Sequence, residues 1–250
     1  MQASHEFALY YPELTVKTRA LSVGQSFSIN QPDLIMRITH VLRLQIGEEL
    51  VLFDAQQSVH CNLQAATKKE LKCFIFARSA NMPLSPSITF ILPLLKKDDF
   101  ETALYSVVEL GANKIQLVST QKGQRAWGGQ KELERCQRIM IAAAEQSKNF
   151  AMPDLIAPIS LSSYVPGIPE STMKLYCDPQ GISAMSALQK LVAEKPKELY
   201  LMVGPEGDLT DQEKDLLLQS HFLFMSLTPT VLRSVQAVAI SLGLVRSVVR

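Results

Sequence analysis

The stretch from Glu198 to Val249 limits the possible folds more than any other. An apolar run, Glu198-Leu-Tyr-Leu-Met-Val203, meets a Gly-Pro-Glu-Gly loop at Gly204 to Gly207. A second apolar run, His221 to Leu227, meets a Thr-Pro-Thr turn and then Val231-Leu232-Arg233. Each run has the length and the sharp ends of a buried strand, and each loop leads into helical spacing. Two adjacent strand-to-helix units create the crevice in which open α/β sheets bind ligands. Gly204 and Gly207 can adopt positive φ and allow close approach to the main chain, while Pro205 stiffens the turn. Thr210 and Glu213 have capping-box spacing, which predicts a helix just past the loop. The plain alternative for the tetrapeptide is a strand-to-helix turn without a ligand.

Upstream, strands and helices alternate. Ile88–Leu92, Ile115–Val118, Leu155–Ala157 and Leu175–Asp178 read as strands. Phe100, Ala103, Leu104, Val107 and Val108 make the buried stripe of a helix that Asp98 and Glu101 would cap and Gly111 would end. A long helix spans Lys131 to Lys148, and another carries Met185, Leu188, Leu191 and Val192. This alternation predicts an α/β unit with a mostly parallel sheet and helices on both faces. The segment before Arg78 has a different grammar. Short β-prone runs at Phe27–Asn30, Leu50–Asp54, Val59–Ala65 and Leu71–Phe76, plus one helix over Pro32–Leu42, predict a small, partly open β-barrel. Asn81–Ser87 has two prolines and no periodicity. The expected division is therefore 1–78, a linker at 79–87, and 88–250.

At 250 residues with 47% apolar and 20% charged side chains, global disorder is excluded. The net charge of +1 leaves no overall basic field, so any nucleic-acid contact must come from local patches. Arg37, His40 and Arg43 recur every third residue and would share one helix face, either as a phosphate-contacting edge or as a solvated one. Cys61, Cys73, Cys136 and Cys177 are scattered and the four histidines lack ligand spacing, so neither a metal nor a disulfide framework is expected. No apolar run approaches a bilayer span, and Met1-Gln-Ala-Ser-His-Glu lacks signal-peptide character. The expectation is a cytoplasmic chain with no membrane partner.

With the motifs in order, the chain resembles the RsmE family of SPOUT methyltransferases. The resemblance rests on His40-Val-Leu-Arg-Leu44 with Gly47–Asp54, Glu109-Leu-Gly111, Ala142–Ser147, Val203–Gly207 and Leu227–Arg233. It implies an amino-terminal PUA-like RNA-binding barrel and a carboxy-terminal SPOUT domain with a trefoil knot. The residue pattern alone would give an unknotted parallel sheet. It also implies S-adenosylmethionine as cofactor, N3 of a uridine in small-subunit (16S) ribosomal RNA as methyl acceptor, and a homodimer. The chain departs from the family at Asp208 and Thr228, where glycines are usual, and at Ser234-Val-Gln-Ala237, where an acid is usual. Asp99 and Tyr105-Ser106 are further departures. These motivate a second reading, a catalytically weakened relative that binds RNA or ribosomal subunits without methylating.

By resemblance, the cofactor-binding residues are Met202, Val203, Gly204, Pro205, Glu206, Gly207, Leu227, Leu232 and Asp178. Apolar walls with backbone donors and acceptors suit an adenine ring. Removing the N3 proton of uridine leaves an anion that a nearby cation would stabilise. Arg233 is the candidate, its alternative being a structural arginine paired with Glu206 or a loop carbonyl. Glu206 is the second catalytic candidate, as a base or as a loop organiser. The RNA-binding candidates are Arg37, His40, Arg43, Arg125 beside Trp127, and Gln146 with Lys148 at the end of the long helix. Trp127 either stacks a splayed base or anchors its loop. The final helix, apolar on most sides through Val235, Val238, Leu242 and Val245, calls for a second packing partner such as a dimer mate.

Overall fold

Period-two burial organises the first unit. The computed structural model describes residues 6–249, and the reading of the Met1–His5 stretch lies outside them. Two compact units, Met1–Met82 and Pro83–Arg250, divide the chain. In the first, β1 (Phe7–Tyr10), α1 (Leu14–Thr18), β2 (Ser26–Ile29), α2 (Pro32–Met36), β3 (Glu49–Phe53), β4 (Gln57–Ala66) and β5 (Leu71–Ala80) follow one another. The sheet order is β1-β3-β4-β5-β2, with β1 parallel to β3 and the other pairs antiparallel. Val59, Cys61 and Leu63 of β4 alternate inward to meet Leu14, Ile29, Ile38 and Leu52. Burying each leucine or isoleucine contributes about 1.5–3 kcal/mol. Asp54 joins α1 to the β3–β4 turn, accepting from Thr15 N at 2.7 Å and from Gln56 N at 2.8 Å.

The helix expected over Pro32–Leu42 changes character midway. After α2 the chain widens into a π turn at Arg37–Val41, and Arg43 adopts φ +57°. An i→i+5 winding and a left-handed exit break the threefold alignment, so Arg37, His40 and Arg43 do not share one helix face.

The second unit runs β6 (Ser87–Pro93), α3 (Lys97–Glu109), β7 (Lys114–Ser119), α4 (Gln130–Ser147), β8 (Asp154–Ser160), α5 (Leu161–Tyr164), β9 (Met173–Ser183), α6 (Ala184–Glu194), β10 (Glu198–Val203), α7 (Asp211–Gln219), β11 (Leu223–Ser226) and α8 (Ser234–Val248). Its six strands are all parallel, in the order β11-β9-β10-β6-β7-β8. Alternation in β10 sends Met202 into a cluster with Leu161 of α5 and Leu217 of α7. Leu199, Leu201 and Val203 therefore point to the opposite face, where α8 packs. The parallel sheet thus carries helices on both faces.

Several local expectations are corrected. Asp98 lies inside α3 rather than at its cap, because the helix begins at Lys97 with Lys96 in the cap position. Gly111 does end that helix, with φ +82°. β8 runs through Pro158 instead of stopping before it, as an edge strand can, since one side needs no N–H. Arg246 of α8 ties the far end of the sheet together. Its guanidinium donates to Pro86 O at 2.8 Å, Gly111 O at 3.1 Å and Asn113 Oδ1 at 2.6 Å. Burial lowers its pKa to about 10.

Candidate functional site

The site begins with an interruption in a strand. Leu175 and Tyr176 of β9 pair with Leu223 and Phe224 of β11, but the next rungs join Ile182 and Ser183 to Met225 and Ser226. Residues Cys177 to Gly181 therefore bulge out between consecutive rungs. Gly181 makes this possible, because a Cβ there would lie 2.4 Å from Met225 N and from Phe224 C. The bulge, the loop after β10 and the loop after β11 enclose a cavity of about 640 Å³. That volume suits a ligand of cofactor size.

Val203, Met225, Leu227, Leu232 and Ala237 supply apolar wall, and Gly204 and Pro205 supply main chain. The positive φ expected of Gly204 or Gly207 falls instead on Asp208, at φ +57°. Gly204 serves close approach: a Cβ would sit 3.0 Å from Tyr176 Oη. The capping box is present, with Glu213 N donating to Thr210 Oγ1 at 3.3 Å and Thr210 N to Glu213 Oε2 at 2.9 Å. Glu213 Oε1 also accepts from Gln121 N at 2.8 Å, which ties this helix start to the loop after β7.

Polar groups converge on one wall. Lys214 Nζ donates to Asp178 Oδ2 and to Asp208 Oδ2, both at 2.8 Å. Asp208 Oδ1 accepts from Leu209 N at 2.7 Å and from Tyr176 Oη at 3.3 Å. Burial opposes ionisation of Asp208, yet the Lys214 ammonium and the Leu209 N–H outweigh it and hold the carboxyl below its ordinary value. Burial likewise works against the Lys214 charge, and its two carboxylate partners outweigh it and raise the ammonium above the usual lysine value. Burial, with Asp208 and Asp178 nearby, pushes the Tyr176 phenol up, so it stays a neutral donor. Burial also drives the Cys177 thiol up to about 12, leaving it no nucleophile.

The structure gathers Asp178, Val203, Gly204, Pro205, Glu206, Leu227, Leu232 and Arg233 around this one cavity. Met202 instead lies in the core on the other face of β10. Gly207 opens onto a neighbouring cavity of about 470 Å³ that shares Pro205 and Glu206 with the first. Lys96, Lys97, Lys122 and Arg125 line that second cavity. Glu206 Oε1 accepts from Lys96 N at 2.9 Å. Arg233 is exposed at the N-cap of α8; its carbonyl accepts from Ala237 N at 3.0 Å, while its guanidinium has no hydrogen-bond or ion-pair partner among the described residues. Arg125 is spent internally: it pairs with Glu132, donates to Leu95 O at 3.0 Å and stacks 4.4 Å over Phe100. Trp127 meets Phe100 edge-on at 6.5 Å as a half-buried anchor. Gln146 and Lys148 are exposed at the end of α4. Among the described residues no cluster of His, Cys, Asp or Glu could hold a metal ion, and no helix is long and apolar enough to cross a membrane. Tyr176, Lys214 and the Lys96–Lys97 pair escaped the sequence reading; adjacent lysines before a helix were the one signal available.

The RNA methyltransferase domain profile matches residues 82–246, and the RNA methyltransferase PUA domain matches residues 38–76. The chain belongs to the RNA methyltransferase domain family. Its resemblance to the RsmE proteins, read from five motifs, agrees with the relatives found. Ribosomal RNA small subunit methyltransferase E of Synechocystis is 28% identical over 97% of this chain and 79% of that protein. The crystal structure of the enzyme of the same name from Neisseria gonorrhoeae, bound to S-adenosyl methionine, superposes with a TM-score of 0.81 at 27% identity, covering 98% of both chains. A methyltransferase from Legionella pneumophila in complex with the same cofactor gives 0.80 at 25% identity, over 97% of this chain and 98% of that one. Membership in this methyltransferase family fits the cavity chemistry, since a cationic methyl donor with an adenine ring suits apolar walls flanked by carboxylates.

Proposed function

We propose that the chain uses S-adenosylmethionine to methylate N3 of a uridine in small-subunit ribosomal RNA. The cavity between the two carboxy-terminal loops carries this reading, because it lies within the segment matched by the methyltransferase family. When bound, the cofactor supplies an electrophilic methyl group on a sulfonium. The residues assigned to hold it are Asp178, Val203, Gly204, Pro205, Glu206, Leu227 and Leu232, with Met202 backing the wall from the core. Gly207 lies beside Lys122, where a Cβ would meet it at an ordinary contact distance of 3.7 Å. Transfer of this kind depends above all on positioning. Glu206 fixes its loop to the start of α3 through the Lys96 N–H. Arg233 offers an uncommitted guanidinium beside the amino-terminal turn of α8. The two positive ends together stabilise the anion that forms when N3 loses its proton.

The first unit, together with the basic cavity at Lys96, Lys97 and Lys122, is assigned to RNA backbone. Arg37, His40, Arg43, Gln146 and Lys148 extend that role, with Arg125 shaping the cavity from within. The trefoil knot belongs to the proposal as what the resemblance implies. Ile240 and Val248, each 37% exposed on α8, support a homodimer through that helix. A ribosomal RNA substrate supports a cytoplasmic location. Calorimetry with S-adenosylmethionine and primer extension on ribosomal RNA from a deletion strain test the proposal together. The expected result is binding in the first, and in the second the loss of one methylation-dependent stop. Binding with an unchanged stop would leave an RNA-binding relative without this activity.

A further inference from the structure

Two carboxylates that line the 640 Å³ cavity, Asp178 and Asp208, share the ammonium of Lys214, which is not itself a lining residue. Lys214 and Asp178 alone would be a neutral pair. Asp208 adds a second carboxylate to the same ammonium at 2.8 Å, so the group carries one uncompensated negative charge. Asp178 is 4% exposed and Asp208 56% exposed, and both line the cavity. The backbone at Asp208 adopts φ +57°, a conformation that glycine takes freely and that costs other residues about 1 kcal/mol or more. Asp99 and Glu206 also line the cavity, and Arg233 is the one cation among its lining residues. The field inside is therefore negative.

We propose that Asp208 makes the cavity charge-selective, favouring the cationic methyl donor over its neutral product. This rests on the reading of the cavity as the S-adenosylmethionine site. S-adenosylmethionine carries one more positive charge than S-adenosylhomocysteine, and the two are otherwise nearly the same shape. Apolar walls and main-chain groups cannot tell them apart, whereas a negative wall can. The consequence is a site that holds the donor and releases the spent product.

The test is calorimetry of both ligands with the wild-type chain, Asp208→Asn and Asp208→Gly. The first variant keeps the side-chain shape, and the second relieves the left-handed backbone, so together they separate charge from folding. Across several ångströms of partly screened medium, loss of the charge should cut the preference for the donor by about three- to tenfold in both variants. The change should fall on the donor affinity, and added salt should erode the wild-type preference. If both ligands bind and the ratio is unchanged in either variant, the proposal is overturned, because each substitution removes the charge. If the wild-type chain binds neither ligand, the cofactor reading itself fails and takes the inference with it.

Discussion

Glu206 accepts the main-chain N–H of Lys96 at 2.9 Å, so the loop after β10 and the N-cap residue of α3 are held by one carboxylate oxygen. The bond needs an acceptor, not a charge. Glu206→Gln keeps an acceptor oxygen and should leave cofactor affinity and turnover within about threefold of wild type. Glu206→Ala frees the loop and should weaken cofactor binding roughly tenfold, the equivalent of one ordinary hydrogen bond. Calorimetry with single-turnover kinetics checks both. A glutamine variant that binds normally but has lost turnover would make Glu206 a proton acceptor.

Arg233 presents the opposite situation. It is exposed, its guanidinium has no partner among the described residues, and it stands where α8 begins. Arg233→Ala should keep cofactor affinity within several-fold while lowering single-turnover methylation by about 10²–10³, the usual cost of one oxyanion donor. Equal loss of binding and rate would mean that the arginine holds the loop rather than the reacting anion.

The contrast between two glycines yields a third expectation. A Cβ at Gly181 would lie 2.4 Å from the β11 main chain, whereas at Gly243, inside α8, nothing lies within 4 Å. Gly181→Ala must push the bulge away from β11, at about 1–3 kcal/mol, and should deform the cavity enough to abolish cofactor binding. Gly243→Ala replaces a poor helix former and should stabilise by about 0.5–1 kcal/mol. Urea unfolding of the two variants, beside calorimetry on the first, measures the pair. A silent Gly181→Ala would mean that the bulge is not held against β11.

The sequence revealed those parts that local chemistry determines. Thr210 and Glu213 announced the start of α7, Gly111 the end of α3, and the apolar run to Val203 the central strand of the sheet. The loops at Gly204 and Leu227 were legible because they follow strand ends in a parallel sheet, whereas Asp178, expected at a strand end, sits in a bulge within β9, which continues to Ser183. What stayed hidden depends on distant contacts. Nothing near Gly181 in sequence reveals that the β11 main chain packs against it, and Lys214 looks like any lysine on a helix until the fold brings Asp178 and Asp208 to it. β1 and α1 are four and five residues long, too short for periodicity to register. The π turn at Arg37–Val41 looks like ordinary helix spacing, and only its winding separates Arg37, His40 and Arg43.

The Lys214 group also sets the pH range over which the cavity wall holds together. Asp208 has its folded pKa lowered from 3.8. Its stabilisation is therefore fully present above that unfolded value and is lost as pH falls through the lower folded one. Lys214 has its folded pKa raised from 10.5, so its stabilisation is present below 10.5 and is lost as pH rises through the higher folded value. Between about pH 5 and 9 neither group changes charge, and the difference in urea midpoint between wild type and Asp208→Asn should be constant there. Below pH 3.8 the difference should shrink as the unfolded chain takes up the proton first, and it should vanish once pH has fallen past the lower folded value, where the native carboxylate no longer pairs with the ammonium as a charge. A difference that instead grows in acid, or that varies across the neutral range, would mean that Asp208 stabilises the fold by some route other than its pairing with Lys214.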